Sequence, residues 1–185
     1  MKVRRSAVHC AALSCALLSA CSTPLESSSA ENAANRDGLA YSARNVDIIE
    51  HGADGEPRYR VRAARASQKI DGPVIELRDL TMDLRDPGGR RWNVRAQHGR
   101  MPPNASTVDL QGNVIVTGDP AKSAPAIELR SEQLAVEVDA RRVRSPAAVT
   151  IRFAGKQITA VGIKADLNAQ TVQLESKVHG VFARK

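Results

Sequence analysis

Past residue 21, the side chains with obvious chemical potential are three histidines, a short run of aspartates and a surplus of arginine. His51, His98 and His179 are widely separated, and each precedes a glycine in what reads as a turn. Asp79, Asp83 and Asp86 are close together, but a polar strand edge followed by a turn explains that spacing. No second acidic cluster completes a metal site. There is no G-x-S-x-G, no H-E-x-x-H, no phosphate-cradling glycine loop and no pair of cysteine ligands. The expectation is a protein that is not an enzyme, with no catalytic residues, no metal and no cofactor. Arg58, Arg60 and Arg62 share one face of a strand, while Arg90, Arg91 and Arg95 surround another. Guanidinium forks suit phosphate or carboxylate recognition. The simpler reading is a solvated outer face whose charge discourages edge-to-edge strand pairing.

The elements that would carry these side chains are strands. In Trp92 to Gly118, Trp92, Val94 and Ala96 alternate with polar residues. The alternation stops at His98-Gly99, resumes at Val108 and Leu110, pauses at Gln111-Gly112-Asn113 and returns at Val114 and Val116. A period of two puts the apolar set on one face of a pleated strand, so this stretch reads as strand, turn, strand, turn, strand. The unit recurs. Tyr59-Arg60-Val61-Arg62-Ala63, Trp92-Asn93-Val94-Arg95-Ala96, Ile127-Glu128-Leu129-Arg130-Ser131 and Ile158-Thr159-Ala160-Val161-Gly162 each run from a large apolar to a small residue, at spacings of 33, 35 and 31. A second limb recurs at Leu110–Val114, Arg144–Val149 and Leu174–Val178. Such spacing marks supersecondary units that bury an apolar face only by stacking. Turns are expected at Asp54-Gly55, Asp71-Gly72-Pro73, Asp86-Pro87-Gly88-Gly89, Gly118-Asp119-Pro120 and Gly155-Lys156. The reading is all-β, with ten to twelve short strands in a sandwich, a jelly roll or a β-solenoid.

Three parts are expected. Residues 1–20 have a positive start (Lys2, Arg4, Arg5) and a mostly apolar run from Ala7 to Ala20, too short and polar to span a bilayer of about 30 Å. This is a signal peptide. Leu18-Ser19-Ala20-Cys21 resembles the lipobox of bacterial lipoproteins, which makes Cys21 the lipidation site. Residues 21–40 are rich in Ser, Ala, Asn and Glu, with too little aliphatic bulk to offset ordering, and read as a tether. Residues 41–185 form one domain. Cys10 and Cys15 leave with the signal, so no internal disulfide is available. Removing three cations lowers the net charge from +7 to +4, and a mildly basic exported protein is not a nucleic-acid binder. Aromatic residues make up 3% of the chain. The interior is therefore aliphatic, either a closed core or, where the sheets splay, a groove for acyl chains.

The order of Tyr41, Asp54-Gly55, Tyr59–Ala63, Trp92–Ala96, Val108-Asp109-Leu110-Gln111-Gly112-Asn113-Val114, Leu129–Leu134 and Ala160-Val161-Gly162-Ile163 resembles the periplasmic LptC family of lipopolysaccharide exporters. LptA and the LptD periplasmic domain share the strand repeat. Gly162-Ile163 and Val178-His179-Gly180-Val181-Phe182 look more like LptC. The resemblance implies a twisted β-jelly roll, or open β-sandwich, that receives lipopolysaccharide from an inner-membrane ABC transporter (LptB, LptF, LptG) and passes it to LptA. Groove-lining residues would be Tyr59, Val61, Trp92, Val94, Val108, Leu110, Val114, Val116, Leu129, Val136, Val149, Ile151 and Phe153. Docking edges would lie near Val46 to Val61 and Thr171 to Phe182, through Val46, Ile48, Gly162, Val172, Leu174, Val178 and Phe182. Typical members keep an uncleaved transmembrane helix, whereas this chain has a lipobox followed by Ser22 rather than aspartate. The expected location is a periplasmic protein lipid-anchored to the inner membrane, with the outer membrane possible. The alternative is an interaction lipoprotein with a closed β core and no lipid cargo.

Overall fold

The computed structural model describes residues 38–52, 55–103, 106–120 and 125–182. The signal sequence, Cys21, nearly all of the tether, Asp54 of the first turn and Asn104 lie outside these residues. Nine strands follow one another: β1 (Leu39–His51), β2 (Pro57–Lys69), β3 (Ile75–Arg85), β4 (Arg91–Met101), β5 (Thr107–Gly118), β6 (Ile127–Glu137), β7 (Arg142–Phe153), β8 (Lys156–Asp166) and β9 (Thr171–Phe182). Each pairs antiparallel with the next, forming one sheet in the order β1 to β9 whose free edges are β1 and β9. The all-β jelly-roll reading holds.

The strands are fewer and longer than expected, because the interruptions in alternation are not turns. His98-Gly99 lies inside β4, Gln111-Gly112-Asn113 inside β5 and Pro146 inside β7. The three histidines likewise lie on strands, His51 ending β1, His98 in β4 and His179 in β9. These interruptions align across the sheet. Asn45, Asp79, Gly112, Asn113, Gly162 and Lys177 adopt left-handed φ at mid-strand. The register slips between Arg95 and His98, Gln111 and Val114, Ser131 and Ala135, Ser145 and Ala148, and Thr159 and Val161. Extra residues in one strand of a pair bend that strand and tighten its twist. Bends in line fold the long strands into half-strands.

Burial follows the fold. Along β2, β3, β4 and β6 the buried residues jump by three at the bend: Ala63 to Ala66, Leu77 to Leu80, Ala96 to Gly99 and Ser131 to Leu134. In a flat strand that step would turn the second set outward; across the bend both sets face inward. The layers meet far from sequence neighbours, as where Arg58 Nη2 in β2 donates to Asp139 beyond β6 at 2.6 Å. Tyr59, Val61, Leu80, Met82 and Val94 from one half-layer pack with Leu77, Val108, Leu110, Leu134 and Val136 from the other. Each buried aliphatic contributes about 1.5–3 kcal/mol. A smaller cluster of Val149, Ile151, Ala160 and Ile163 closes β7 and β8. The buried Ser131 and Ser145 hydroxyls lie 3.2 Å apart at the bend, and Ser131 donates to the Ala148 carbonyl.

Two bend glycines have no substitute. At Gly112, φ is 78°, and a Cβ would lie 3.1 Å from the Gln97 Cβ; at Gly162, φ is 84°, and a Cβ would lie 2.9 Å from the Glu175 Cβ. Gly162→Ala is expected to lower stability by about 1–3 kcal/mol through backbone strain, read as a fall in melting temperature. Trimming the neighbour in Gly162→Ala/Glu175→Ala should recover part of that loss and leave the φ cost. A Gly162→Ala protein as stable as the parent contradicts the bend assignment.

Candidate lipid-binding cleft

The two half-layers pack together around Tyr59, Val61, Leu77, Leu80, Met82, Val108 and Leu110 and part along one side, between a wall drawn from β3 to β7 and one drawn from β6 to β9. What remains is a cleft of about 820 Å³, within the range that small-molecule and acyl ligands occupy. One wall is Leu84, Trp92, Val94, Val116, Leu129 and Ile151; the facing wall is Leu134, Val136, Val143, Ile163, Leu167 and Val172. Asp86, Arg90, Asp166 and Gln170 stand among the lining residues, on or beside the β3–β4 and β8–β9 turns.

Trp92 is fixed at this site from two sides. Its indole Nε1 donates to Asp86 at 3.1 Å, and the Arg90 guanidinium lies 4.9 Å from its ring centre. Arg90 is itself held by the carbonyls of Asp119 and Pro125, at 2.6 and 2.5 Å. The Asp166 carboxylate accepts the backbone N–H groups of Asn168 and Ala169, both at 2.9 Å, and Arg142 Nε at 3.2 Å. The Ala169 N–H, then Arg142, hold its carboxyl below the ordinary 3.8. This aspartate builds the β8–β9 turn, which contains neither glycine nor proline.

Six of the thirteen expected groove residues line the cleft: Trp92, Val94, Val116, Leu129, Val136 and Ile151. Val61, Val108, Leu110, Val114 and Val149 are buried in the packed clusters and do not line it. Tyr59 is also core, its hydroxyl donating to Glu50 at 2.6 Å, and burial is the main cause of its raised pKa. Phe153 lies outside, in a separate depression, with Lys156 Nζ 5.9 Å from its ring. Leu84, Ile127, Leu134, Val143, Ile163, Ala165 and Leu167 line the cleft without having been singled out from the sequence. The three-residue step past Ser131 points to Leu134.

Of the expected docking residues, Val46 and Ile48 are half-buried on the edge strand β1, while Val172, Leu174, Val178 and Phe182 lie on the edge strand β9. Val178 and Phe182 are 56% and 60% exposed, the surface one expects of an edge awaiting a neighbour. Two residues do not sit on an edge. Val61 is fully buried in the second strand, and Gly162 is in the penultimate strand, where it underlies Glu175 of β9.

Four of the arginines singled out from the sequence are ion-paired. Arg58 meets Glu50 and Asp139, Arg60 meets Asp47, Arg62 meets Asp83 and Arg91 meets Asp119. The simpler reading of Arg58, Arg60, Arg62 and Arg91 as an outer-face ladder fits. Asp83 also accepts from Asn93, and Asp86 from Trp92 and the Arg90 backbone, so both aspartates have structural work.

The sequence matches the LptC family, described as lipopolysaccharide-assembly, LptC-related, over residues 7–183. No curated protein matches it. Among solved structures, the fold is similar to LptH of Pseudomonas aeruginosa, the LptA-homologous periplasmic component of the lipopolysaccharide transport device. Identity is 15% and the TM-score 0.55, covering 68% of this chain and 95% of that one.

Trp92 is the chain's single tryptophan, so the cleft reports on itself. A fatty acid added below its micellar concentration should shift Trp92 emission to shorter wavelength, and Leu129→Asp, which puts a charge on the wall, should abolish the shift. An unresponsive parent protein means that the cleft does not admit acyl chains. A second expectation concerns acid. Because the folded pKa of Asp166 is lowered, its contribution is present above about pH 4 and is lost as pH falls through the lowered value. Asp166→Asn should therefore reduce the fall in melting temperature between about pH 5 and pH 2.

Proposed function

Because this chain belongs to the LptC-related family of lipopolysaccharide-assembly proteins, we propose that it is a periplasmic carrier anchored by lipid at Cys21. It takes lipopolysaccharide from the inner-membrane ABC transporter and passes it to an LptA-like protein. The carrying observation is the cleft: an aliphatic space of about 820 Å³ open between two half-layers, with exposed edge strands at both ends of the sheet. Acyl chains lying against Val94, Leu129, Val136 and Ile151 displace water, at about 25 cal/mol for each Å² of apolar surface removed from it. The charged lining residues stand at the turns, and the walls between them hold the cargo by apolar contact alone. Relay requires that, since a carrier must release what it accepts. The edges add strands of neighbouring jelly rolls, extending the apolar track from protein to protein. The part played by the chain is binding and orientation, with no bond made or broken.

The test is site-specific photo-crosslinking in cells. A photoreactive residue at Val94, Leu129, Val136 or Ile151 is expected to capture lipopolysaccharide, whereas one at the exposed Arg95 or Gln97 captures little. Equal labelling inside and outside would falsify the cleft assignment. The same cells test the partners: photoreactive residues in β1 should capture the transporter and those in β9 the LptA-like acceptor. Recovery of the protein alone, with no lipid, favours an interaction lipoprotein instead.

A further inference from the structure

On the outer face of β1 to β4, Arg44 lies opposite Arg65, Arg65 opposite Arg78, and Arg78 opposite His98. All four are exposed. At about 4.8 Å per strand, three guanidinium stems stand side by side within roughly 10 Å. Like charges directly opposite one another destabilise a sheet; elsewhere they occur as single pairs, Arg85 opposite Arg91 and Arg144 opposite Lys164, in which Arg91, Arg144 and Lys164 each meet a carboxylate, of Asp119, Glu137 and Glu175. Along the rest of the sheet arginines meet acids: Arg60 pairs with Asp47 and Arg62 with Asp83 on the diagonal, Arg130 meets Glu128, Arg142 meets Asp166 and Arg144 meets Glu137. Among the described residues none of Arg44, Arg65, Arg78 and His98 has an ion pair or a side-chain hydrogen bond. The nearest acids are otherwise placed: Glu76 sits opposite Arg100 in an adjoining row, and Asp79 lies in the bend at a left-handed φ.

We propose that this row docks the domain on an anionic lipid surface. The layer it belongs to turns its other side to the core, so the row points away from the cleft and has no role in holding cargo. A flat line of unpaired guanidinium groups matches a plane of phosphates. The chain also brings the two together. With the lipid anchor at Cys21, β1, which bears Arg44, opens only eighteen residues later at Leu39. Extended at about 3.3 Å per residue, that segment keeps Leu39 within some 60 Å of the bilayer and Arg44, five residues on, within about 75 Å, and so raises the effective concentration of the row there. An acidic protein would fit the charge but not this tethering. The proposal rests on the anchor assigned under the proposed function and is independent of lipopolysaccharide.

The full chain, and a variant with Arg44→Ala, Arg65→Ala and Arg78→Ala, are mixed with phosphatidylcholine vesicles and with vesicles containing phosphatidylglycerol, and bound protein is sedimented. The apolar leader enters both vesicle types, so the readout is the ratio of the two affinities. The wild type is expected to favour the anionic vesicles. At about a fivefold contribution per arginine near such a surface, the triple variant should lose roughly 100-fold of that preference, and added salt should weaken the wild type towards it. A control with Arg60→Ala, Arg130→Ala and Arg142→Ala removes the same formal charge from paired positions and should lose far less. Matching thermal melts for wild type and row variant show that the fold is kept. The proposal is overturned if the wild type shows no anionic preference, if the row variant keeps it, if the control loses as much, or if millimolar inorganic phosphate displaces the protein. Vesicles free of lipopolysaccharide make the outcome independent of whether the cleft carries cargo.

Discussion

Everything inside this protein depends on one line of bends. Nine long strands paired in sequence would make a wide sheet with one side apolar and nothing to cover it. The left-handed residues and register slips at mid-strand fold that sheet across its own strands, so each half-layer becomes the cover for the other. The hydrophobic effect then acts between parts of the same strands. The bend is where the layers converge, and the residues there are small: Ala63, Ala96, Ser131 and Gly162. Larger side chains at these places would hold the layers apart and expose the aliphatic faces that stabilise them. The buried Ser131–Ser145 pair shows the same economy, satisfying its hydroxyls within a space too narrow for larger groups.

The cleft is the other side of that constraint. A closed interior needs bulk opposite bulk, and β2 to β5 supply it with Tyr59, Leu77, Leu80, Met82 and Leu110. Beyond them, Leu84, Trp92, Val94 and Val116 face Leu134, Val136, Ile163 and Val172 across open space, with Asp86, Arg90, Asp166 and Gln170 kept to the turns. Trp92, held by Asp86 and Arg90, is the rigid point of a wall otherwise built of flexible aliphatic chains. Scaffold and site share strands: β5 gives Val108, Leu110 and Val114 to the core and Val116 to the cleft wall.

Much of the fold was legible in the sequence, since alternation identifies a strand face regardless of what covers it. The repeat at 33, 35 and 31 residues corresponds to successive even-numbered strands, β2, β4, β6 and β8. The misreadings share a cause. Gly112, Pro146 and the pause at His98-Gly99 look like strand ends because glycine, proline and a lost period of two usually mean a turn. Only pairing on both sides distinguishes a bulge from a turn, and pairing is not local information. The turns at 138–141 and 167–170 were missed for the converse reason. They lack glycine and proline at the bend, and the second is made by the Asp166 carboxylate gathering backbone N–H groups. The cleft could not be told from the core because Val94 and Val61 have the same pattern. Which of two equivalent valines meets protein and which meets open space depends on the layer that folds across it from elsewhere in the chain.

The uninterrupted order of the strands carries a consequence for how the chain reaches its native state. Each strand hydrogen-bonds only to those made immediately before and after it, so pairing needs short loops and little long-range search. A chain that emerges N-terminus first can zip β1 to β2, then β3, without waiting for its far end. The exception is the closing of the layers. Arg58 and Asp139 are 81 residues apart, so β2 and β3 remain half-covered until β6 and β7 arrive. During that interval the nascent sheet offers its greasy side to whatever is near, and a chaperone has a defined window and a defined surface on which to act.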